Sequence, residues 1–107
     1  MKWFVYILRC VDNSLYTGST PNVERRFREH SEGRGGRYTS LHKPKSIAYV
    51  EDFEDQKQAL KREKQLKGWS REKKEALMRG DEKALKWFAK RVGVRRKAET
   101  RKRKLIV

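Results

Sequence analysis

The sequence predicts an α/β protein of the α+β kind: a small three-stranded sheet, mixed or antiparallel, flanked by helices and followed by a basic C-terminal extension. Three observations lead to this class. Residues 3–20 have the alternation and the turn residues of a β-hairpin, and residues 46–53 have those of a third strand. Four further segments have apolar residues at helical spacing between capping residues.

Composition limits both the core and the partners. The 107 residues allow one small core, and only 36% of them are hydrophobic while 40% are charged. Lys and Arg outnumber Asp and Glu by 29 to 14, which gives a formal net charge of +15. A surface this unbalanced repels itself, so the charge favours a nucleic-acid partner over a role in solubility alone. The sequence has no apolar span long enough to predict a membrane partner.

Cysteine usage and the N-terminus indicate the compartment. The single cysteine, Cys10, excludes an internal disulfide and a zinc ribbon, and we expect it to be a small buried residue. The first ten residues alternate like a strand and lack the cleavage site of a signal peptide. We therefore expect a cytoplasmic protein, nucleoid-associated if its source is prokaryotic, and a monomer by default.

The N-terminal hairpin carries two tyrosines. With a three-residue loop, Val11 pairs with Leu15 and the even-numbered residues of both strands share one face. A two-residue loop would instead place the tyrosines on opposite faces. The residues that share a face with the three-residue loop are Tyr6, Tyr16 and Gly18.

A short helix is predicted after the hairpin. Thr20 or Asn22 caps its start, and Gly33 ends it. Val23 and Phe27 form its apolar stripe. Two further side chains lie on or beside the inward face, three and seven residues beyond the first stripe residue: Arg26 and His30.

The helix after the third strand has an inner stripe of Ala59, Leu60 and Leu66. Glu63 lies within that stripe, four residues after the first of these and three before the last. A carboxylate there has two interpretations. It is either a metal ligand held inside the protein or the partner of Lys67 in a solvated ladder of charges.

The remaining segments are a loop, two helices and a tail. Residues 32–44 are rich in Gly and Arg and predict a flexible, positively charged loop. Ser70 caps a third helix that ends at Gly80, and a fourth helix follows. The inward residues of that fourth helix are Leu85 and Phe88. From residue 93 the chain is too charged to pack, which predicts a mobile basic tail.

The selected residues fit one reaction. Phosphodiester hydrolysis needs an attacking water, a carboxylate-held divalent cation and a cation on the phosphate. The two hairpin tyrosines could activate the water, Glu63 could hold the metal and Arg26 could bind the phosphate. A tyrosine acts as a base near neutral pH only if nearby cations favour the phenolate. Each residue alone has an ordinary role, since strand tyrosines usually pack and His30 is more often structural than catalytic.

Four motifs, in consistent order, resemble those of the GIY-YIG nuclease superfamily. They are FVY at 4–6, YTG at 16–18, NVERRFREH at 22–30 and ALKREKQLKGWSREKKEAL at 59–77. The last is similar to the glutamate helix of the small stand-alone YhbQ-type members. The resemblance divides the chain into an endonuclease-like domain over 1–80 and a helical and basic extension over 81–107. Phe4 and Val5 replace the glycine and isoleucine of the motif's name.

The resemblance implies a role for each matching residue. Tyr6 and Tyr16 are the two motif tyrosines. Arg26 matches the catalytic arginine, and Glu63 matches the single metal-binding glutamate. His30 stands where many members have a histidine or tyrosine that assists the activation of water. The implied cofactor is one Mg²⁺ or Mn²⁺, and the implied reaction is the attack of water on DNA.

One departure from the family pattern concerns the control of a tyrosine pKa. Ser19 stands where repair-type members carry a lysine that could lower that pKa. Arg37 or Lys43 of the basic loop could compensate for it. The residues expected to contact nucleic acid, with Gly18 bringing the backbone close, are Gly18, Arg37, Lys43, Arg95, Arg96, Arg101 and Arg103.

Three functions follow as alternatives. The first is a metal-dependent endonuclease on double-stranded or branched DNA, with structured or damaged sites as substrates. The second is a nucleic-acid-binding module of the same fold that cleaves weakly or not at all. The third is a structural protein that coats RNA and binds without a metal. The complete set of tyrosines, arginine and glutamate favours the first, and no zinc finger or recognition helix predicts base-specific reading.

Overall fold

The computed structural model describes residues 1–92, with the side chains of residues 1–87. The chain divides into two compact units, one of residues 1–68 and a second that begins at Trp69. The first unit contains β1 (Trp3–Cys10), β2 (Leu15–Thr20), α1 (Val23–Ser31), α2 (Arg37–Leu41), β3 (Pro44–Phe53) and α3 (Gln56–Lys67). The second contains α4 (Arg71–Arg79) and α5 (Glu82–Val92). The α+β class is confirmed, while the division after residue 80 stays a prediction.

The sheet has the strand order β2-β1-β3 and is antiparallel throughout. Of the two predicted arrangements, mixed or antiparallel, the second is therefore present. The central strand β1 is buried on both faces, which explains its nearly continuous apolar sequence. Its buried side chains are Val5, Tyr6, Ile7, Leu8 and Cys10. The expectation that Cys10 is a buried small residue is confirmed.

The hairpin loop begins one residue earlier than expected. The Cys10 amide donates to the Ser14 carbonyl at 2.8 Å, so the predicted pairing of Val11 with Leu15 is wrong. Asn13 has a φ of 71°, a left-handed conformation that asparagine tolerates, and this allows the earlier turn. The loop still has three residues, so the even-numbered residues still share a face. The pairs on that face include Tyr6 with Gly18 and Leu8 with Tyr16.

The segment after the hairpin contains one predicted helix and one unexpected helix. In α1, the Asn22 side chain accepts a hydrogen bond from the Arg25 amide, and Gly33 follows the helix with a φ of 80°. The expected flexible loop over 32–44 is wrong in part, because it contains α2. Thr39 of α2 is buried and bonded to another helix, so a tertiary contact stabilises a segment whose local sequence favours a loop.

Helix α3 packs against the sheet through Ala59 and Leu66, as predicted. The predicted stripe is wrong at Leu60, which is 47% exposed, because Arg62 takes the inward position. Arg62 Nε donates to Glu51 Oε1 of β3 at 2.9 Å, and both side chains are buried. A buried carboxylate needs a cation beside it, and this requirement orients the helix.

The second unit contains the two predicted C-terminal helices. Ser70 caps α4, and Gly80 ends it with a left-handed φ of 72°. Leu85 of α5 is half-buried. The side chain of Phe88 and the predicted tail from residue 93 lie outside the described residues. No helix in the described part of the chain is long and apolar enough to cross a membrane.

Replacing Arg62 by Met should destabilise the protein by about 3–5 kcal/mol, because the Glu51 carboxylate would stay buried without its cation. Urea unfolding followed by circular dichroism measures the change. Lys64→Met, on the exposed side of the same helix, is the control and should change stability by less than about 0.5 kcal/mol. Small, equal effects would show that the ion pair does not hold α3 on the sheet.

Candidate active site

Tyr6 of the central strand lies at the centre of a buried polar cluster. Its hydroxyl oxygen is 2.9 Å from Nε2 of His30 on α1, and the two residues are 1% and 0% exposed. Nδ1 of the same histidine is 2.6 Å from Oγ1 of Thr39 on α2, which is also buried. One chain of hydrogen bonds therefore joins the sheet, α1 and α2.

The protonation of this chain follows from burial. Burial, together with the charge of Arg26, lowers the pKa of His30 to about 4, so the imidazole is neutral at pH 7. Burial also raises the pKa of Tyr6, so the phenol keeps its proton. The Arg26 guanidinium lies near the Tyr6 oxygen and favours the phenolate, but burial has the larger effect on the Tyr6 pKa. A neutral imidazole carries one proton, so one of its two nitrogens donates and the other accepts within this chain.

Arg26 is held at two points beside this cluster. Its Nη1 donates to Glu29 Oε1 at 2.8 Å, and its Nη2 donates to the Gly35 carbonyl at 3.1 Å. The side chain is 31% exposed, so the guanidinium reaches from the buried phenol to solvent. A guanidinium has five N–H groups, and those that Glu29 and Gly35 do not use can contact Tyr6 and a bound anion.

Two glycines make room for the cluster. A Cβ on Gly18 would lie 2.5 Å from the Tyr6 hydroxyl oxygen and 3.1 Å from the Tyr16 ring. A Cβ on Gly35 would overlap with the imidazole of His30. Both glycines are required by close approach rather than by a positive φ. Because the two tyrosines fill the space at Gly18, its contact with nucleic acid stays a prediction.

Tyr16 occupies the outer side of the cluster and is half-buried. Its ring is edge-on to His30, with centroids 4.9 Å apart, and lies 6.3 Å from the ring of Tyr6. On its other side it contacts Tyr38 at 5.6 Å, and Tyr38 stacks on His42 at 4.3 Å. The predicted common face of the tyrosines is confirmed, but their environments differ. Tyr6 is interior, whereas Tyr16 connects the interior to an aromatic surface.

Glu63 approaches from α3, on the opposite face of the sheet. Its Oε1 accepts a hydrogen bond from Ser19 Oγ at 2.6 Å, and its Oε2 is 2.8 Å from Lys67 Nζ. The side chain is 16% exposed. The ion pair of the second interpretation is therefore present, while the carboxylate is still largely buried. Ser19 is the neighbour of Gly18. The pKa of Tyr6 is raised first by burial, next by Tyr16, and also by the charge of Glu63.

The residues near Glu63 suit a cation held by a single protein ligand. The described residues contain no group of three or more His, Cys, Asp or Glu that could enclose a metal ion. Mg²⁺ often binds through one or two carboxylates and keeps several waters, so a single carboxylate is sufficient. Lys67 is 53% exposed, and its ammonium can leave Glu63 for solvent. The Ser19 hydroxyl can remain and orient the carboxylate.

Two basic residues of the predicted loop were expected to compensate for the lysine that Ser19 replaces. Arg37 and Lys43 are exposed, and the cation beside the Tyr6 hydroxyl is Arg26 instead. The predicted nucleic-acid contacts Arg95, Arg96, Arg101 and Arg103 lie outside the described residues. Site residues that the sequence analysis missed are Glu29, Gly35, Tyr38 and Thr39. Only Glu29 had a local signal, its i+3 spacing from Arg26.

The first unit is a small α+β domain with the candidate site residues in the order that the four motifs predict. The family model of the GIY-YIG catalytic domain matches residues 2–76, and the chain belongs to this family of nucleases. The resemblance inferred from the four motifs is confirmed. Family membership implies DNA as the substrate and, in general, dependence on a metal ion.

Several proteins are similar to this chain. A UPF0213 protein of Staphylococcus saprophyticus is 42% identical over 73 residues, which cover 68% of this chain and 89% of that protein. A UPF0213 protein of Haloquadratum walsbyi is 47% identical over 74 residues, which cover 69% and 83%. The solution NMR structure of a UPF0213 protein from Bacillus halodurans is 38% identical, with a TM-score of 0.50, and the match covers 76% of this chain and 86% of that one. These names state no activity.

Gly35→Ala should destabilise the protein by about 1–3 kcal/mol, because the new methyl group overlaps with the His30 ring and forces the chain to shift. Thermal unfolding measures the change. Gly68→Ala is the matched control, since its Cβ would have only an ordinary contact of 3.5 Å with the Gln65 carbonyl oxygen. A Gly35→Ala protein as stable as the Gly68→Ala protein would contradict the close packing of this loop on His30.

His30 should make the fold sensitive to mild acid. Its pKa of about 4 in the folded state lies below the ordinary value of 6.5, so the unfolded chain binds the proton more readily. The contribution of His30 is complete above pH 6.5, is lost as the pH falls toward 4, and is constant below that. Between pH 7 and pH 4, the parental protein should lose about 3 kcal/mol more unfolding free energy than His30→Gln. Equal losses would contradict the lowered pKa.

Proposed function

We propose that the protein is a metal-dependent endonuclease that hydrolyses phosphodiester bonds in DNA at structured or damaged sites. The contact of Arg26, Tyr6 and His30 carries this proposal. A permanent cation, a phenol and an unprotonated imidazole form one connected group, and the Glu63 carboxylate lies nearby. Membership of the GIY-YIG family supports both the reaction and DNA as its substrate.

Arg26 is proposed to bind the phosphate that is cleaved. It is charged at every relevant pH, and its planar fork matches two phosphate oxygens. Its side chain is partly exposed, so a phosphate can reach it from solvent. Negative charge develops on the phosphate during hydrolysis, and a fixed guanidinium stabilises that charge without reorganisation.

Tyr6 and His30 are proposed to receive the proton of the attacking water. As water bonds to phosphorus and the bond from phosphorus to the leaving oxygen breaks, the Tyr6 oxygen can accept the water proton while the phenolic proton passes to His30 Nε2. The His30 ring is neutral at neutral pH, and this transfer requires Nε2 to be its unprotonated nitrogen. Tyr16 lies on the outer side of the pair and is proposed to contact the attacking water or the substrate.

Glu63 is proposed to hold one Mg²⁺ or Mn²⁺ in place of its ion pair with Lys67. When bound, such a cation supplies charge stabilisation to the leaving oxygen. The Ser19 hydroxyl would keep the carboxylate oriented, since its 2.6 Å hydrogen bond uses only one carboxylate oxygen.

Double-stranded or branched DNA is the proposed form of the substrate. The net charge of +15 supplies the sequence-independent attraction, because each phosphate contact releases condensed counterions. The exposed Arg37 and Lys43 are available for such contacts in the described part of the chain. Contacts by the basic residues beyond residue 92 are part of the same proposal.

A weakly catalytic DNA-binding module of the same fold is the second candidate. Two observations favour it. The Lys67 ammonium already occupies one oxygen of Glu63, and burial keeps Tyr6 protonated. A bound cation must displace the ammonium before hydrolysis proceeds, and the protonated Tyr6 can act only as a proton relay to His30, not as a phenolate base.

The deciding experiment incubates the pure protein with linear, nicked, flap and four-way-junction DNA, in Mg²⁺, Mn²⁺ or EDTA. The parental protein should cleave at least one substrate in metal and none in EDTA. Glu63→Gln should reduce cleavage at least about a hundredfold, because the amide preserves volume but removes the charge that holds the cation. Glu54→Gln, which makes the same charge change at an exposed position of the first unit, should cleave like the parental protein.

The outcomes separate the candidates. DNA binding without cleavage in any metal would support the binding module. Binding to RNA in EDTA, with no cleavage of DNA, would support the structural alternative. Full cleavage by Glu63→Gln would contradict the metal-binding role of Glu63.

A further inference from the structure

The arginine that is proposed to bind phosphate already donates a hydrogen bond to a carboxylate. Glu29 lies one turn after Arg26 on α1, and its Oε1 accepts from Arg26 Nη1 at 2.8 Å. Its Oε2 is 3.8 Å from Arg25 Nε. Glu29 and Arg26 are 26% and 31% exposed, so this pair is less hydrated than the surface pair of Arg79 and Asp81, at 58% and 38%.

The Glu29 contact limits the motion of the guanidinium. A single ion pair leaves an arginine free to rotate about its side-chain bonds, but Arg26 is held at a second point by the Gly35 carbonyl at 3.1 Å. With Nη1 and Nη2 each engaged, the plane of the guanidinium is fixed beside the Tyr6 hydroxyl. The N–H groups that Glu29 and Gly35 do not use remain available to the phenol and to a phosphate that arrives from solvent.

The same contact opposes the binding of an anion. A phosphate at Arg26 would lie within a few ångströms of the Glu29 carboxylate, and like charges at that distance repel. Glu29 stays ionised in neutral solution, because its hydrogen bond from Arg26 lowers its pKa. The carboxylate thus improves the orientation of the arginine and weakens its attraction for the substrate.

We propose that Glu29 is a positioning residue of the nuclease site, which fixes Arg26 for the reacting phosphate and lowers the affinity for unreacted DNA. This inference rests on the proposed function. It assigns two opposite effects to one side chain, so removal of its charge should separate DNA binding from cleavage. If the Arg26–Glu29 ion pair only stabilised the helix, removal of the Glu29 charge would change neither DNA binding nor cleavage.

The test compares Glu29→Gln with Glu24→Gln, a control in the exposed first turn of the same helix. The affinity for DNA is measured in EDTA, and the single-turnover rate is measured with saturating DNA and Mg²⁺ or Mn²⁺. Glu29→Gln should bind DNA about threefold more tightly than Glu24→Gln and cleave about tenfold more slowly. Glu29→Ala should keep the tighter binding and lose more of the rate, because it removes the hydrogen bond as well as the charge.

The metal titration distinguishes positioning from ligation. The metal concentration that gives half of the maximal rate should be the same for Glu29→Gln and the parental protein. A large increase would make Glu29 a cation ligand and overturn the inference. Equal binding and equal rates for the Glu29→Gln and Glu24→Gln proteins would also overturn it, while leaving an active parental enzyme as proposed. Absence of cleavage by the parental protein on every DNA tested would overturn the proposed function, and this inference with it.

Discussion

The hydrogen bond between Tyr6 and His30 is the interaction on which the site depends. It is fully buried, and it joins the central strand to α1. A buried polar group without a partner costs free energy, so each of these side chains fixes the other. A second hydrogen bond, between His30 and Thr39, continues the chain to α2, and Arg26 lies beside it. Packing of the domain and assembly of the site are therefore one event.

The antiparallel register distributes the site over both faces of the sheet. Tyr6 and Gly18 are paired residues on the face that α1 covers, and Ser19, the next residue, points to the face that α3 covers. Glu63 is held by Ser19, so its carboxylate is adjacent to the tyrosines although it belongs to a different layer. The buried Arg62–Glu51 pair sets the orientation of α3 and hence of Glu63. We propose that this arrangement brings a cation to the phosphate that Arg26 binds.

The sequence predicted those features that follow from local periodicity. The two tyrosines share a face although the hairpin loop was predicted one residue too late. The predicted and observed loops both have three residues, and the side-chain period of a strand is two. The position of Glu63 followed from helical spacing in the same way. The sequence analysis predicted that Leu60 faces the sheet, but Arg62 takes that position. The reason is the buried Glu51 of a different element, which requires a cation. Gly35 and Thr39 were missed because their roles come from contact with His30, which no local pattern shows.

The protonation state of His30 tests this account most directly. Nuclear magnetic resonance of ¹⁵N-labelled protein follows both ring nitrogens as the pH is changed. The account predicts a neutral ring at pH 7 with its proton on Nδ1, and titration at a pKa of about 4. Titration near the ordinary value of 6.5 would contradict the buried Tyr6–His30 hydrogen bond as the centre of the site, and a proton on Nε2 at pH 7 would contradict the proposed proton transfer from Tyr6 to His30.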